Sequence, residues 1–523
     1  MAVLTSSKNL RRSRPYYKEE ASGGAFAAVT LCFLACAGIM AAAVAYFYKT
    51  GATLLYGDAE SHLDIARRVV DSRTPGWVQL GTAWLPLPHL LMIPLVRNDR
   101  LWQTGLAGAI TSGFCMALAA TFLFAGMRRI FESTLAGAAA AAVFLLNPNT
   151  LYLGSIPMTE PAWFASLFAL FYFTVRFAET RGWGALLGAG IAACAGTLTR
   201  YEAWFLLPFI AIYVLIAARR STPAIVFCII AGAGPLLWLV HNRWYFSDPL
   251  YFYRGPWSAL AIQGKSPYPG RGDWHMAAKY FVAAGHLVAG WPGLVIAAFG
   301  ALAALARKVF WPFFLFLLPP AFYIWSIHSS GTPVFVPNLE PHSFYNIRYA
   351  MAFLPLIALG AAALARFGKI PAAAVVAIAL APFLIHWNQH SITFQEADIN
   401  SRGRLAWTAQ AVDFLRTAAG PHETFFTGYG LTAIYRTLGI PLRDTLSGDN
   451  NPQFLAAQGR PDLALWEDWA IATGGDPVQT TVDNARLHGP RFELSDRIIV
   501  KDQPVIEIYH RVVIYGDHED TVR

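Results

Sequence analysis

The chain has 523 residues, of which 55% are hydrophobic and 14% are charged. A soluble globular protein carries about 25% charged residues, so this composition excludes a soluble fold. The formal net charge of +8 does not indicate a nucleic-acid partner, because the basic residues are spread as pairs between apolar runs. Runs of about 20 apolar residues, each long enough to cross a bilayer, recur along the chain. The sequence therefore predicts an α-helical polytopic membrane protein that binds no nucleic acid.

About eleven segments meet the length criterion for a membrane-spanning helix. These segments are 25–48, 103–126, 134–153, 158–177, 183–199, 202–218, 222–241, 284–306, 309–328, 347–365 and 370–387. A basic cluster precedes the first segment, as it would in a secretory signal. That apolar run is longer than the about 7–15 residues of a signal peptide, so it is interpreted as a retained first helix.

Basic residues between the apolar runs predict the orientation. Beside the N-terminal cluster they are Arg128 and Arg129, Arg176 and Arg181, Arg219 and Arg220, Arg307 and Lys308, and Arg366 and Lys369. All of them fall in alternate connections, and the positive-inside rule assigns those connections to the cytoplasm. We therefore predict a multi-pass protein of the plasma (inner) membrane with a cytoplasmic N-terminus. The connection 49–101 and the C-terminus are then external, which means periplasmic in a bacterium.

The first external connection contains the stretch "LLYGDAESHLDIARRVVDS", residues 54–72. An apolar stripe recurs here at helical spacing, with charged residues opposite. The stripe consists of His62, Ile65, Ala66, Val69 and Val70, and the opposite side of Asp64, Arg67, Arg68 and Asp71. This pattern predicts an amphipathic helix on the membrane surface, with its arginines at lipid phosphates.

The composition becomes soluble from residue 389. "LAWTAQAVDFLRTA" predicts an amphipathic helix, and "ETFFTGY" and "RIIVKDQPVIEIYHRVVIY" predict strands. We therefore predict three parts: a cytoplasmic basic tail (1–24), a transmembrane domain (25–388) and an external α/β or α+β domain (389–523).

Ionisable and aromatic side chains gather at the predicted external ends of the helices. They are Asp58, Glu60 and His62 after the first helix, His89, Glu160, the "RYE" residues Arg200, Tyr201 and Glu202, and His342, Tyr345 and Arg348 in "PHSFYNIRY". Charges at the edge of a membrane are costly and often functional. Simpler roles remain open: Asp58 as the N-cap of a helix beginning at Ala59, Glu160 as a helix-start acid, Arg200 and Glu202 as a local pair, and Arg348 as a residue that snorkels to the interface.

The order of these motifs resembles the GT-C glycosyltransferases, polytopic enzymes that use polyprenyl-phosphate-linked sugars. An acid pair follows helix one, then come an amphipathic helix and "LPLPH", and "NIRYAMAFLPLIAL" is similar to bacterial relatives of protein O-mannosyltransferases and aminoarabinose transferases. The resemblance covers residues 25–390. In many members the two acids are adjacent, whereas Ala59 separates Asp58 from Glu60 here. Residues two apart on a helix do not share a face, so both acids reach one site only if Asp58 lies outside the helix.

The resemblance implies an inverting transfer of sugar from a lipid-linked donor to a protein, lipid or polysaccharide acceptor on the external face. Asp58 would be the general base, with Glu60 and Glu160 orienting it or binding a divalent cation, Mg²⁺ or Mn²⁺. Arg200 and Arg348 would hold the donor phosphate, and His62, His89, Tyr201, Glu202, His342 and Tyr345 complete the substrate-binding set.

Two other classes of function stay open. A transporter or lipid flippase also carries charges within the membrane, but usually has internal repeats and broken helices. A non-catalytic membrane scaffold would explain the external domain, although not the gathering of acids and arginines.

Overall fold

The computed structural model describes residues 22–264, 266–386 and 388–512. The predicted basic tail therefore lies almost entirely outside the described residues. The helices up to residue 385 are α1 (Ser22–Lys49), α2 (Gly57–Arg68), α3 (Leu87–Val96), α4 (Asp99–Gln103), α5 (Leu106–Phe131), α6 (Thr134–Leu145), α7 (Pro148–Leu153), α8 (Glu160–Thr180), α9 (Trp183–Thr197), α10 (Glu202–Ala218), α11 (Ser221–Phe246), α12 (Tyr251–Arg254), α13 (Ala259–Gln263), α14 (Trp274–Ala306), α15 (Phe310–Ser329), α16 (Leu354–Ala365) and α17 (Lys369–Ile385). Two short 3-10 turns, Trp77–Leu80 and Ile347–Phe353, lie among them.

Each predicted membrane segment coincides with a helix or a pair of helices. Within the described residues, seven helices are long and apolar enough to cross a membrane: Gly24–Lys49, Leu106–Phe131, Glu160–Thr180, Ser221–Phe246, Trp274–Ala306, Phe310–Ser329 and Ile347–Ala365. The predicted segments that correspond to α6, α9, α10 and α17 form shorter apolar helices. The prediction of a polytopic helical membrane protein is confirmed.

Two predicted segments differ in detail from the structure. The segment 134–153 is split into α6 and α7, because the Asn147 side chain accepts the Asn149 N–H at 2.9 Å and Pro148 starts a new helix. A proline at the first helical position and an asparagine cap before it both favour a helix start. The segment 284–306 lies within the longer helix α14, which begins at Trp274 and breaks at Gly290, where φ is 70°.

The helix bundle has two chemically different ends. At one end of α8, Glu160 meets the arginines of the later "RYE" and "NIRY" motifs. At the other end of α8, Glu179 pairs with Arg129 at the end of α5, at 2.5 Å. Nineteen residues separate Glu160 from Glu179, which is about 29 Å along a helix. The gathered acids and a pair of the predicted cytoplasmic basic residues therefore lie at opposite ends of the bundle.

A mixed α/β unit follows the bundle. Its helices are α18 (Ile392–Ala418), α19 (Thr432–Leu438), α20 (Gln453–Gly459), α21 (Pro461–Ala464) and α22 (Pro477–His488), with a 3-10 turn at Leu442–Asp444. Its strands are β1 (Phe425–Thr427), β2 (Thr445–Leu446), β3 (Trp469–Thr473), β4 (Arg491–Ile498) and β5 (Ile506–Val512). In the described part these form a sheet in the order β2-β1-β3-β5-β4.

The sheet is parallel on one side and antiparallel on the other. Strand β1 pairs in parallel with β2 and β3, and Phe425 faces Trp469 in the register. Strand β5 pairs antiparallel with β3 and β4. The predicted strand at 423–429 corresponds to β1, and the predicted stretch 497–515 covers the end of β4 and all of β5, while residues 513–515 lie outside the described part. A small sheet in the C-terminal region is therefore confirmed. Helix α18 begins much earlier than the predicted helix, at Ile392, beside the bundle.

The predicted helix in the first connection is present as α2, but its environment is not lipid. Leu63 and Ala66 pack in one buried cluster with Trp407 of α18 and Ile434 of α19. Ile65 and Val69 pack against Leu80 of the same connection, and α2 keeps no apolar side for the bilayer. The membrane-surface prediction is therefore wrong, because the C-terminal unit covers this helix.

The arginines of this connection also meet protein acids rather than lipid phosphates. Arg67 is buried and bonds Asp71 at 2.9 Å and Asp99 at 2.7 Å. Arg68 pairs with Asp449 at 3.1 Å, and Arg73 pairs with Glu467 at 2.6 Å, both acids of the C-terminal unit. Acids of the protein thus neutralise Arg67, Arg68 and Arg73.

Candidate active site

Asp58 stands on the first turn of α2, just after the first membrane helix. The helix begins at Gly57, and its N-cap residue is Tyr56, which makes no side-chain capping bond. Asp58 is therefore inside the helix, and the N-cap interpretation of this residue is wrong. Its carboxylate is 36% exposed and accepts a hydrogen bond from the guanidinium of Arg348. This carboxylate is both open to solvent and tied to a buried cation.

Arg348 is held in the 3-10 turn Ile347–Phe353 that leads into α16. Its side chain is only 9% exposed, and its Nε donates to Glu160 Oε1 at 3.2 Å. The guanidinium carbon lies 5.2 Å from the ring centre of Tyr56 and 5.3 Å from that of Tyr349. These contacts bury Arg348 within the protein, so it does not snorkel to the membrane interface.

A second buried arginine extends the network. Arg200 Nη1 donates to Glu160 Oε1 at 2.9 Å, and its Nε donates to Glu202 Oε1 at 2.7 Å. Its Nη2 donates to the Tyr323 hydroxyl at 2.9 Å, and that hydroxyl also contacts Glu202. The predicted local pair between Arg200 and Glu202 is present, and it belongs to this larger network.

The structure adds an acid that the sequence did not indicate. Glu396, in the second turn of α18, accepts the backbone N–H groups of Asn346 and Ile347, each at 2.9 Å. Its Oε1 lies 3.8 Å from Nη1 of Arg348. Burial raises the pKa of Glu396 to about 7, although the nearby Arg348 charge and the two backbone donors oppose the rise. The C-terminal unit therefore contributes directly to the site.

Each carboxylate of the network lies within ion-pair distance of a guanidinium. Four carboxylates (Asp58, Glu160, Glu202 and Glu396) surround two guanidiniums (Arg200 and Arg348). Unpaired charges in a buried region are strongly unfavourable, so this closed set holds each side chain in a fixed place. Asp58 is its solvent-facing end.

Glu60 is directed away from this network. Its carboxylate accepts hydrogen bonds from Arg404 of α18 and, at 2.9 Å, from Arg436 of α19. Both Asp58 and Glu60 lie inside α2, and residues two apart on a helix point to different sides. The condition for a shared site is therefore not met, and Glu60 instead joins the connection to the C-terminal unit.

Two predicted histidines form a buried pair between α2 and α3. His62 Nδ1 lies 2.9 Å from His89 Nε2, and the His62 ring packs on Trp84 with centres 4.4 Å apart. Burial lowers the pKa of His62 to about 3, and the Arg348 charge contributes. Both imidazoles are buried and their pKa values are lowered, so the structure places them in the packing of α2 against α3 rather than in contact with the solvent-facing end of the site.

The remaining predicted residues lie around the network. Tyr201 donates its hydroxyl to the Ala83 carbonyl at 3.1 Å and fixes the "RYE" turn against the first connection. His342 is exposed and contacts the Pro337 carbonyl at 3.0 Å. Tyr345 is 44% exposed, and burial of its hydroxyl end together with the Asp58 charge raises its pKa. Of the three, Tyr345 is the one close enough to Asp58 to sense its charge.

The three acids considered for a divalent cation do not form one ligand set. Asp58 and Glu160 are separated by the guanidinium of Arg348, and Glu60 is occupied by two other arginines. In the part of the chain that the structure describes, no group of three or more histidine, cysteine or acidic residues has the arrangement to hold a metal ion. The described residues therefore do not fit the predicted cation.

Comparison with known families gives one match. Residues 99–244 match the family described as dolichyl-phosphate-mannose-protein mannosyltransferase. This stretch includes Glu160, Arg200 and Glu202 of the network. A search of curated proteins found no significant match. The match covers 146 of the 523 residues, and over this stretch the chain is similar to that family. Together with the helical membrane architecture, the match supports a GT-C-like membrane glycosyltransferase.

Proposed function

We propose that the enzyme transfers a sugar from a polyprenyl-phosphate donor to a hydroxyl group of its acceptor, with inversion and with Asp58 as the general base. The observation that carries the proposal is the position of Asp58. It is the solvent-exposed carboxylate of an otherwise buried ionic network, nine residues after the end of the first membrane helix. A water-soluble acceptor group can reach it from solvent while the lipid tail of the donor stays in the bilayer.

The proposed chemistry is a single displacement. The acceptor oxygen attacks the anomeric carbon, and the bond from that carbon to the phosphate oxygen breaks. The acceptor proton passes to Asp58, and the bonding electron pair leaves with the polyprenyl phosphate. A general base positioned in this way contributes about 10²–10⁴-fold to the rate.

Arg348 has a proposed role on both sides of this step. Before transfer it orients Asp58, because its guanidinium donates to Asp58 and to Glu160 from separate nitrogens. When Asp58 takes the proton, its negative charge is lost and the Arg348 charge is less compensated. The leaving phosphate gains charge at the same moment, and a pre-positioned cation stabilises such a developing charge.

The binding of the donor phosphate by Arg200 and Arg348 stays a proposal, and it carries one condition. Both guanidiniums are engaged by carboxylates. A direct phosphate contact would require one of these acids to be exchanged for phosphate. Release of Asp58 from Arg348 upon protonation is the exchange that the geometry favours, because Asp58 is the most exposed of the acids.

We place this chemistry on the external face of the plasma (inner) membrane. The support is the positive-inside rule, which assigns the alternate basic connections to the cytoplasm, and the opposite position of the acidic network on α8. The N-terminus is then cytoplasmic, and the C-terminal unit is external. The acceptor is a protein, lipid or polysaccharide hydroxyl.

The transporter, flippase and scaffold alternatives are less well supported. The family match is to a transferase family. The solvent end of the network presents a carboxylate suited to proton abstraction, whereas a scaffold has no need of one.

The test is Asp58→Asn in the purified full-length protein, assayed with a panel of polyprenyl-phosphate sugars by release of polyprenyl phosphate. We expect turnover to fall by about 10²–10⁴-fold while donor binding is retained. The matched control is Asp398→Asn, which removes an exposed carboxylate from α18. Turnover near that of the wild type for Asp58→Asn would refute the role of Asp58. Absence of transfer in the wild type with every donor of the panel would refute the donor class.

A further inference from the structure

One face of α18 contacts both chain segments that carry the central ion pair. Glu396, Asn400 and Arg404 are spaced by four residues, so they line one side of the helix. Asp58 belongs to the segment 54–60, and Arg348 belongs to the segment 344–348. Each of the three α18 residues bonds to one of these two segments.

Glu396 and Asn400 hold the segment that carries Arg348. The Glu396 carboxylate accepts the N–H groups of Asn346 and Ile347, each at 2.9 Å, and its side chain is 2% exposed. One turn later, Asn400 Nδ2 donates to the Phe344 carbonyl at 2.9 Å. Three bonds from one helix therefore fix the backbone immediately before Arg348.

Arg404 holds the segment that carries Asp58. Its Nη2 donates to the carbonyls of Leu54 and Leu55, both at 3.0 Å, and its Nη1 donates to Glu60. These partners lie on both sides of Asp58 in the chain. The guanidinium has a planar fork of donors, so it can bind the two carbonyls and the carboxylate at once.

The start of α18 is itself anchored to the bundle. Thr393 donates its N–H and its hydroxyl to Asn149 Oδ1 at 3.1 Å and 3.0 Å. The Asn149 amide in turn donates to the Val288 carbonyl of α14 at 3.1 Å. Helix α18 is thus fixed relative to the membrane helices before it reaches Glu396.

We propose that the Glu396–Asn400–Arg404 face of α18 is a positioning device that sets the distance between Asp58 and Arg348, so that the C-terminal unit is needed for transfer. This inference rests on the proposed function of Asp58 as the base. Glu396 and Arg404 do not touch the reacting atoms, and they act through the two segments that they bind. Glu396 also adds a negative charge behind Arg348.

Glu396 makes this device sensitive to pH. Its pKa is raised to about 7 by burial, so it loses its charge as the pH falls through this value. The charged and titratable groups around it are Arg348, Asp58, Tyr56, Tyr152 and Tyr345. A protonated Glu396 cannot accept both backbone N–H groups as strongly, and it no longer attracts Arg348. We therefore expect the turnover of the wild type to rise with pH through about 7.

The test compares Glu396→Gln, Arg404→Lys and Asn400→Ala with the control Asp398→Asn on the same helix. Loss of a charge-assisted hydrogen bond costs roughly ten- to a hundredfold, and we expect Glu396→Gln to lower kcat by that factor with little change in KM for the donor. Its kcat should also lose the pH dependence near neutrality. Arg404→Lys should lower kcat similarly, because an ammonium cannot bind three acceptors in that geometry.

Asn400→Ala is the mild variant, since Asn400 is exposed and loses a single bond; a decrease in kcat of about two- to tenfold is expected. Asp398→Asn should keep the wild-type rate and pH profile. If Glu396→Gln and Asn400→Ala keep wild-type kcat and pH dependence while Asp58→Asn is inactive, the positioning role is refuted and the base assignment stands. If Asp58→Asn is active, the proposed function itself fails.

Discussion

Glu60→Gln is expected to loosen the contact between the first connection and the C-terminal unit. Glu60 is buried and accepts hydrogen bonds from Arg404 and Arg436. Breaking a buried ion pair costs about 3–5 kcal/mol. Both arginines keep carbonyl acceptors, at Leu54 and Leu55 and at Gln103, and glutamine keeps one oxygen. We therefore expect the lower end of that range, about 3 kcal/mol.

The assay is hydrogen–deuterium exchange of the full-length protein, observed at α19. Because about 1.4 kcal/mol corresponds to a factor of ten, the loss of 3 kcal/mol should speed exchange through opening of this contact about a hundredfold. The matched control is Glu493→Gln in β4, whose carboxylate is 56% exposed and pairs with Arg491 at 3.1 Å. Exposed pairs contribute at most about 1 kcal/mol, so the control should stay within about fivefold of the wild type.

The outcome also separates two roles for Glu60. A docking residue changes exchange at α19, and turnover falls only to the extent that the contact opens. A residue of the chemistry lowers turnover without changing exchange. Unchanged exchange at α19 together with lost turnover would refute the reasoning and return Glu60 to the catalytic set.

Three further outcomes are expected. Arg348→Lys should lower turnover roughly ten- to a hundredfold, since a lysine cannot donate to Asp58 and Glu160 in the same fork; wild-type turnover in the steady-state assay would show that the fork is not needed. Burial lowers the pKa of His62 to about 3, so His62→Gln should leave the pH dependence of the rate between about pH 5 and 8 unchanged. A change in that pH dependence would contradict a neutral His62. Reporter fusions at Arg219 and after Val512 should report opposite sides of the membrane, and signals from the same side would overturn the topology.

The sequence contained enough information to gather much of the ionic network. Glu160, Arg200 and Arg348 lie at ends of apolar helices, and topology restricts such ends to one of two planes. Side chains at the same end of a compact helix bundle lie near one another. The structure brings these three together with Asp58 and Glu202, but residue spacing alone does not show which acid meets which arginine.

The missed residues share a different property, namely partners far away in sequence. The change to a soluble composition at residue 389 predicts that Glu396 and Arg404 belong to a separate external domain, whereas α18 starts against the bundle. The amphipathic pattern around Arg68 predicts a lipid contact, because no local pattern indicates its partner Asp449, which is hundreds of residues later in the chain. A signal for the α18 face was present in "EADINSRGR", where Glu396, Asn400 and Arg404 recur every four residues. That spacing identifies a polar helix face, but nothing in it names the partners.

The contact of α18 and α19 with α2 has a consequence for how the protein is made. Glu60 is separated from Arg404 by 344 residues and from Arg436 by 376 residues. A ribosome completes the first connection long before these arginines exist. During most of its synthesis the nascent chain therefore exposes Asp58 without the helix that aligns it with Arg348. Under the proposed function, a chain terminated before α18 would be inert toward lipid-linked sugars, and the synthesis of α18 and α19 would complete the site.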